Sequence, residues 1–239
     1  MKRLGINIDH VATIRNARGS SHPDPLTIAK YVMECGANSV TIHLREDRRH
    51  IRDKDVINIC KSKKILTNLE ISLNTKILKI ALKNKPNFVC IVPENRKEIT
   101  TEGGLNIKKN NKIISTVIKK LNKNKIRTSL FVNPNLKDIK LAKEIGSRCI
   151  EIHTGKISNM IKNKQSYVKD LENIKKCAKL GKLLGLEVHA GHGIDYKTAK
   201  ILSRIKEIEE FNIGHFIIGE SIFDGFKHTI KKFKRIIKS

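Results

Sequence analysis

Residues 127–154 have the sequence RTSLFVNPNLKDIKLAKEIGSRCIEIHT, which predicts a strand, a helix and a second strand in succession. The strand patterns cover 127–132 and 149–154, and the helical pattern between them covers 136–146 and ends at a glycine. Two strands joined through a helix lie parallel in one sheet, with a right-handed crossover. This unit indicates the architecture because the rest of the chain repeats it.

The same alternation extends from this unit to both ends of the chain. Further strands are predicted at 4–10, 39–44, 65–72, 88–92, 187–190 and 212–218, and residues 11–24 are predicted as a loop. Further helices are predicted at 25–36, 53–61, 75–85, 112–122, 165–184, 196–205 and 221–238. Eight strands and eight helices in 239 residues, without a linker, predict an α/β fold: one single-domain (β/α)8 TIM barrel of parallel strands spanning 1–239.

The composition is typical of a globular protein in a reducing compartment. The five cysteines are widely spaced and form no CxxC motif, which argues against disulfides and against a zinc site. No apolar run approaches the ~18–20 residues that cross a bilayer. Asp9 and His10 fall where a signal peptide would have its apolar stretch. We therefore expect a cytoplasmic protein without a membrane partner.

The net charge of +26 raises the possibility of a nucleic-acid partner. The charge is not concentrated: residues 1–50 contain 8 Lys and Arg against 5 Asp and Glu, and the later basic segments are interleaved with Ile and other uncharged residues. Aromatic residues make up 4% and Trp is absent, so stacking platforms for single strands are scarce. We expect salt-sensitive nonspecific binding at most, and no dedicated nucleic-acid function.

Polar residues recur with period two on strands that should be buried on both faces. They lie towards the carboxyl ends of the predicted strands, where barrel enzymes assemble their active sites. Taken singly, each has an ordinary explanation, such as a hydrogen-bonded core histidine or a helix cap. Burying all of them without a function would cost several kcal/mol of desolvation, so the set predicts a site. Its members are Asn7, Asp9, His43, Arg45, Asn68, Glu70, Glu151, His153, His192, Asn212, Gly214 and His215.

Glycine-bearing segments after the last two strands predict anion binding. Gly191-His192-Gly193 and Asn212–Gly219 free backbone N–H groups before helices, in the place where barrels bind phosphate. GxG patterns are also common in simple tight turns. Cationic groups for a second phosphate follow the first two strands: Arg18, Arg45, Arg48, Arg49 and His50. The pattern favours an enzyme that acts on one or two phosphorylated small molecules by acid–base chemistry with His43, Glu70 and His192.

Eight segments, in order along the chain, resemble the pyridoxine 5′-phosphate synthase family. They are 7–19 (NIDHVATIRNARG), 43–51 (HLREDRRHI), 68–70 (NLE), 92–94 (VPE), 100–105 (TTEGGL), 151–155 (EIHTG), 190–193 (AGHG) and 212–215 (NIGH). The resemblance implies condensation of 1-deoxy-D-xylulose 5-phosphate with 3-amino-2-oxopropyl phosphate, without a metal or organic cofactor. It also implies a homo-octamer.

The resemblance also implies roles for individual residues. His43 and Glu70 match general bases, His192 a general acid, and Glu151 a carboxylate that stabilises charge during ring closure. Contacts to the deoxyxylulose phosphate are implied for Asp9, His10, Arg45, His50 and Thr100. Contacts to the aminoketone phosphate are implied for Asn7, Arg18, Gly193, Gly214 and His215. The loop 100–105 is a candidate lid that excludes water.

Two positions depart from the family pattern. His189 stands where a small polar residue is expected, and Glu220 stands where a basic residue is common. Glu220 would weaken a positive rim near the phosphate site after the eighth strand.

Three other functions remain open at this point. A phosphosugar isomerase or epimerase would use a His and Glu pair with a single phosphate site. A metal-dependent hydrolase could use His43, His153, His192 and Glu70 as ligands, although HxH and HExxH patterns are absent. A basic nucleic-acid-binding protein is the non-enzyme alternative.

Overall fold

Eight parallel strands close into a barrel in the computed structural model, which describes residues 1–94 and 103–238. Each strand pairs in parallel with the next along the chain, and the eighth pairs with the first. The predicted (β/α)8 fold is therefore confirmed. The strands are β1 Arg3–Asn7, β2 Ser39–His43, β3 Thr67–Ile71, β4 Phe88–Ile91, β5 Arg127–Val132, β6 Cys149–His153, β7 Glu187–Gly191 and β8 Glu210–Ile213.

Helices surround the barrel, and the described residues contain more of them than the sequence pattern predicts. They are α1 Asp9–Arg18, α2 Pro25–Glu34, α3 Asp53–Lys61, α4 Thr75–Asn84, α5 Ile107–Lys123, α6 Leu136–Glu144, α7 Gly155–Lys162, α8 Val168–Leu183, α9 Tyr196–Leu202, α10 His215–Asp224 and α11 Phe226–Lys238. Within the part of the chain that the structure describes, none of these helices has both the length and the apolarity to span a membrane.

The predicted first strand and loop are wrong from Asp9 onwards. The strand ends at Asn7, and residues 9–18 form α1 instead of a strand end and a loop. Helix formation is favoured because Asp9 places a negative charge in the first turn, where the helix dipole is positive. Val11, Ala12 and Arg15 form the buried face of this helix, and the two apolar members are too few to show an amphipathic pattern in the sequence.

The predicted end of the barrel is also corrected. The eighth strand stops at Ile213 rather than 218, and His215 is the first residue of α10. The predicted terminal helix 221–238 is two helices, α10 and α11, separated at Gly225. The short helix α7, which follows the sixth strand directly, was not predicted.

The strands face two different environments, as their period-two pattern predicts. Ile6, Ile42, Leu69 and Ile150 are fully buried within the apolar cluster between the barrel and the helices. The alternate positions carry polar side chains that contact one another inside the barrel: the Asn212 amide, for example, donates to Glu151 from two strands away at 2.7 Å. The barrel therefore has an apolar outer layer and a partly polar interior.

The amino-terminal end of the barrel is sealed by paired charges. Glu187 begins β7 and accepts hydrogen bonds from the guanidinium groups of Arg3 and Arg127. Arg3 Nε also donates to Glu210 Oε2 at 2.7 Å. His189 lies between the two carboxylates, with Nε2 3.0 Å from Glu187 Oε1 and Nδ1 3.5 Å from Glu210 Oε1. His189, which departs from the family pattern, is therefore part of this charged layer.

The charged layer favours the protonated form of His189. Burial alone lowers the pKa of His189, but the Cys149 sulfur and the carboxylates of Glu210 and Glu187 outweigh burial and raise the pKa well above its ordinary value. In the unfolded chain a histidine titrates near ~6.5. The contribution of protonated His189 to the stability of the fold is therefore complete below about pH 6.5, and it is lost as the pH rises towards the pKa of His189 in the folded protein.

Replacing His189 by Asn should consequently change how the free energy of unfolding depends on pH. The advantage of the original protein over H189N should shrink by up to ~1.4 kcal/mol per pH unit as the pH rises from about 6.5 towards the raised pKa of His189 in the folded state. Denaturant unfolding across this range measures it, with H228N as the control for loss of an exposed imidazole. A difference that stays constant with pH would show that His189 is neutral in the folded state.

A buried ion pair attaches α1 to α3. The Arg15 guanidinium donates to both carboxylate oxygens of Asp55, at 2.7 and 2.9 Å, and both side chains are less than a tenth exposed. Arg15 also donates to the backbone carbonyl of His50 at 3.1 Å, and Asn16 donates to the same carbonyl at 2.8 Å. These contacts fix the segment between β2 and α3, which carries several of the predicted site residues.

Replacing Arg15 by Ala should destabilise the fold strongly, because it leaves the Asp55 carboxylate buried without its cation. We expect a loss of ~3–5 kcal/mol in the free energy of unfolding. The control K175A removes an exposed partner of Glu172 and should cost less than about 1 kcal/mol. Denaturant unfolding at one pH compares the two variants, and equal losses would contradict the importance of the buried pair.

Candidate active site

The predicted site residues gather at the carboxyl-terminal mouth of the barrel. Asn7, His43 and His153 are the last residues of β1, β2 and β6, and Glu70 and Glu151 stand near the ends of β3 and β6. His192 follows β7 directly, and His215 begins α10 after β8. The closed parallel sheet places all these ends on one side of the barrel.

Asp9 joins the first two strands at this mouth. Its Oδ1 accepts a hydrogen bond from the backbone N–H of His43 at 2.8 Å, and its Oδ2 accepts one from Asn7 Nδ2 at 2.9 Å. The side-chain oxygen Oδ1 of Asn7 in turn accepts a hydrogen bond from the Asp9 backbone N–H at 2.9 Å. Asp9 Oδ1 also lies 3.8 Å from His50 Nδ1. Asp9 is therefore a structural connector as well as a predicted binding residue.

His43 lies between two carboxylates. Its Nδ1 is 3.7 Å from Glu70 Oε2, and its Nε2 is 3.6 Å from Glu94 Oε2. The His43 side chain is 6% exposed and that of Glu94 is 1% exposed, so both contacts are shielded from water. Glu94 was not among the predicted site residues. Its position just after the fourth strand, in the segment Val92-Pro93-Glu94, is the signal that could have identified it.

Two carboxylates inside the barrel hold their protons more tightly than usual. Burial raises the pKa of Glu70 well above its ordinary value, and the nearby charges of Glu151 and Asp9 raise it further. Burial also raises the pKa of Glu151 to about 7, although His189 and the amide of Asn212 oppose the increase. Glu70 and Glu151 thus interact electrostatically across the barrel, which connects β3 with β6.

The Glu151 carboxylate fills the space beside the seventh strand. Oε2 accepts the hydrogen bond from Asn212 Nδ2, and Oε1 lies so close to Gly191 that a β-carbon there would overlap it. Only glycine at position 191 leaves this carboxylate its present place. Gly191 therefore couples the position of Glu151 to the start of the His192 loop.

His192 has a strained backbone that neighbouring groups hold in place. Its φ of 76° lies in the left-handed region, which costs a non-glycine residue of the order of 1–3 kcal/mol. The buried Thr154 hydroxyl lies 2.7 Å from the carbonyl oxygen of His192 and 2.8 Å from that of Gly191. Such strain is concentrated at functional sites.

The imidazoles of His153 and His192 lie side by side, with ring centroids 4.9 Å apart. Burial lowers the pKa of His192, and burial together with His192 lowers the pKa of His153 to about 4. Phe131 packs against both rings from inside the barrel. Both imidazoles are thus predominantly neutral at neutral pH.

A second group of predicted residues meets where β8 returns to β1. The rings of His10 and His215 have centroids 4.9 Å apart, at the first turns of α1 and α10. Burial and the neighbouring His215 lower the pKa of His10, against the effect of Asp9. Gly214 packs on Asn7, where a β-carbon would come within 3.1 Å of the Asn7 β-carbon. Helix N-termini of this kind bind anions.

His50 and Arg45 lie on the segment after β2. Burial lowers the pKa of His50, partly offset by Asp9, while His43, Arg45 and His10 lower it further. The backbone N–H of Ile51 donates to His50 Nδ1 at 2.9 Å, so a proton on this ring resides on Nε2. Arg45 is buried, with Nε 3.8 Å from Glu94 Oε1.

The remaining predicted residues are less closely joined to this cluster. Arg18 lies exposed in the last turn of α1, and Gly193 lies exposed beside the start of α7. Thr100 and most of the candidate lid 100–105 fall outside the described residues. Among residues 1–94 and 103–238, no hydrogen bond, ion pair or ring contact joins His192 to His43 or Glu70. Glu151 lies between the two groups: its charge raises the pKa of Glu70, and its carboxylate lies against Gly191, the residue before His192.

Among the described residues, two groups of side chains have donor atoms close enough together to hold a metal ion. In each group the possible ligand atoms lie within 4.8 Å of one another. Asp9, His43 and Glu70 form the first group, at the mouth, and the metal-dependent alternative would use it. Cys149, Glu187 and His189 form the second, but the guanidinium groups of Arg3 and Arg127 already bind Glu187 and disfavour a cation there.

Solved structures share this fold at low sequence identity. Monomers of the dimeric phosphoribosylanthranilate isomerase from Thermotoga maritima match with a TM-score of 0.63 and 16% identity, covering 100% of this chain and 99% of theirs. The tryptophan synthase A-subunit from Pyrococcus furiosus matches with a TM-score of 0.61 and 11% identity, covering 100% and 98%. These similarities concern the barrel alone.

Curated relatives are much closer in sequence. The pyridoxine 5′-phosphate synthase of Pelagibacter ubique (strain HTCC1062) is 70% identical over 236 residues, which cover 99% of each chain. The pyridoxine 5′-phosphate synthase of Zymomonas mobilis subsp. mobilis is 46% identical over 235 residues, covering 98% of this chain and 91% of that protein. The sequence model described as pyridoxal phosphate biosynthesis protein PdxJ matches residues 4–239. The chain is therefore an enzyme that belongs to the PdxJ family of pyridoxine 5′-phosphate synthases.

Proposed function

We propose that this enzyme condenses 1-deoxy-D-xylulose 5-phosphate with 3-amino-2-oxopropyl phosphate to give pyridoxine 5′-phosphate, inorganic phosphate and water. The observation that carries the proposal is the arrangement of acid–base groups at one barrel mouth. His43 contacts Glu70 at 3.7 Å, and Glu70 interacts with Glu151, which lies against the start of the His192 loop. Imine formation, dehydration and aldol-type closure all require successive proton transfers, which such groups perform.

The two substrates would occupy the two sides of this mouth. The deoxyxylulose phosphate would contact Asp9, Arg45, His50 and His10, and also Thr100. The buried guanidinium of Arg45 and the Nε2–H of His50 can donate hydrogen bonds to an anion. Both groups are largely shielded from water, which strengthens such bonds. This side of the mouth therefore suits a phosphate.

The aminoketone phosphate would lie towards β8, against Asn7, Gly214 and His215, with Arg18 and Gly193 completing its contacts. The first turn of α10 begins at His215, where the helix dipole and free N–H groups favour an anion. A phosphate dianion here would also raise the depressed pKa of the neighbouring His10. Glu220, one turn further along α10, is only partly exposed and lies beyond the helix start.

Proton transfer in this proposal uses groups whose pKa values depart from the ordinary. Glu70 retains its proton to a higher pH than an exposed glutamate, so after ionising it is a stronger base. His43 is the second base. His192 is the general acid, and its lowered pKa makes its protonated form a strong proton donor. Glu151, titrating near pH 7, supplies a negative charge that stabilises cationic intermediates during ring closure.

A cytoplasmic homo-octamer is part of the same proposal. Apolar side chains that this chain leaves in solvent support self-association, notably Ile222 and Phe223 at the end of α10, which are 71% and 86% exposed. No metal or organic cofactor is assigned a role, and the partners of the reaction are the two phosphorylated substrates.

Replacing Glu70 by Gln or His192 by Asn should remove most of the turnover, by ~10²–10⁴-fold each, because each change deletes a proton-transfer group but preserves shape. The purified protein is incubated with both substrates in the presence of a chelator, and the pyridoxine chromophore and released phosphate are measured. The control E172Q alters an exposed carboxylate on α8 and should keep full turnover.

Three outcomes would contradict this proposal. Near-normal rates in E70Q or H192N would reject the assigned roles. Loss of all activity in chelator would favour the metal-dependent alternative at Asp9, His43 and Glu70. Conversion of one phosphorylated substrate without the other would favour an isomerase.

A further inference from the structure

Glu94 lies at the mouth of the barrel with its side chain almost completely buried. It follows β4 after Pro93, and its carboxylate is 1% exposed. Oε1 accepts a hydrogen bond from the backbone N–H of Glu46 at 2.8 Å and lies 3.8 Å from Arg45 Nε. Oε2 points the other way, towards His43 Nε2 at 3.6 Å. The two oxygens thus have different partners.

Glu94 Oε2 and His43 Nε2 face each other at 3.6 Å. Within the described part of the chain, neither Glu94 Oε2 nor His43 Nε2 forms a hydrogen bond, and both atoms are buried. Buried polar atoms are almost always paired, because an unpaired one loses its hydration without compensation. Their separation is slightly longer than a hydrogen bond, as is common at catalytic contacts before substrate binds. A small movement of either side chain towards the other would complete the bond.

The protonation of Glu94 decides which nitrogen of His43 carries the hydrogen. Burial raises the pKa of Glu94, but His43, the Glu46 N–H and Arg45 together outweigh burial and lower it. An ionised carboxylate can only accept a hydrogen bond. Glu70, on the other side of the ring, has a raised pKa and therefore holds its proton more tightly than Glu94 does. The hydrogen of a neutral His43 ring therefore belongs on Nε2, facing the Glu94 carboxylate, and the lone pair on Nδ1 faces Glu70 at 3.7 Å.

We propose that Glu94 is a positioning residue for His43: it holds the imidazole hydrogen on Nε2 and so presents Nδ1 as the proton acceptor. When Nδ1 accepts a proton, the Glu94 charge balances the resulting imidazolium within the buried site. This inference rests on the proposed function only in so far as His43 is taken as a base. The tautomer itself follows from the contact between Glu94 and His43 and from the charge on Glu94, and it does not depend on which reaction is catalysed.

A simple structural role for Glu94 makes a different prediction. Through Oε1 the residue ties the end of β4 to the segment after β2, and an amide could accept the same Glu46 hydrogen bond. E94Q therefore preserves this tie and the shape of the side chain but removes the negative charge facing His43. If Glu94 only connected these two segments, E94Q would leave the tautomer of the His43 imidazole unchanged.

The direct test is the ¹⁵N NMR spectrum of the protein labelled at histidine, with the His43 signals assigned by their loss in H43Q. The original protein should show Nε2–H at His43. In E94Q the hydrogen should move wholly or partly to Nδ1. An Nδ1–H tautomer in the original protein, or an unchanged tautomer in E94Q, would overturn the proposal. This readout needs no substrate, so it stands apart from any failure of the proposed reaction.

The kinetic test uses the same variant with both phosphorylated substrates. E94Q should lower kcat by about 100-fold or more, as loss of an orienting carboxylate behind a catalytic histidine does, while KM for each substrate changes by less than about threefold. The control D53N removes a carboxylate that pairs with Arg48 on the surface and should retain kcat. A KM effect with unchanged kcat would contradict the role assigned to Glu94.

Thermal unfolding accompanies both tests. If E94Q fails to fold, E94D retains the charge on a shorter side chain and should keep Nε2–H while lowering kcat less than any neutral variant. Loss of kcat with an unchanged tautomer and unchanged stability would reject action through His43.

Discussion

The burial of two carboxylates in a closed barrel is the constraint around which this site is arranged. Glu70 and Glu151 project from strands into an interior that other side chains fill, so their ionised forms lose hydration. The Asn212 amide donates a hydrogen bond to Glu151, and the Gly191 backbone lies in close contact with the same carboxylate. The His43 imidazole lies beside Glu70 as a proton acceptor. The raised pKa values thus follow from the closure of the sheet. These values also bring both groups into the range useful for acid–base chemistry.

The two ends of the barrel use polar residues in opposite ways. At the amino-terminal end Arg3, Glu187 and Glu210 are paired, and this network stabilises the closed sheet. At the mouth His43 Nε2 and Glu94 Oε2 are buried without hydrogen-bond partners among the described residues. Contacts of this kind at catalytic sites are often long before substrate binds and shorten in the substrate complex, so this loose pairing is consistent with a catalytic role for His43. The division matches the general pattern of these barrels, with stability at one end and chemistry at the other.

The sequence alone predicted the fold and most of the clustering, because both depend on period-two alternation. Polar residues on one face of a parallel strand must point into the barrel, and closure brings their ends together regardless of sequence distance. The position of α1 was mispredicted because its buried face includes Arg15, whose partner Asp55 is distant in sequence. Glu94 was missed for a similar reason: its significance depends on His43, on a strand two places away. The effect of His189 depended on its three-dimensional neighbours Glu187 and Glu210.

The most direct measurement of the central constraint is a ¹³C NMR titration of the side-chain carboxyl groups, with Glu70 and Glu151 assigned through their Gln variants. The Glu151 signal should titrate near pH 7, and the Glu70 signal should titrate well above the ordinary value of 4.5. In E151Q the pKa of Glu70 should fall, because one of the charges that raises it is gone. Titration of both groups near pH 4.5, each unaffected by loss of the other, would contradict the account.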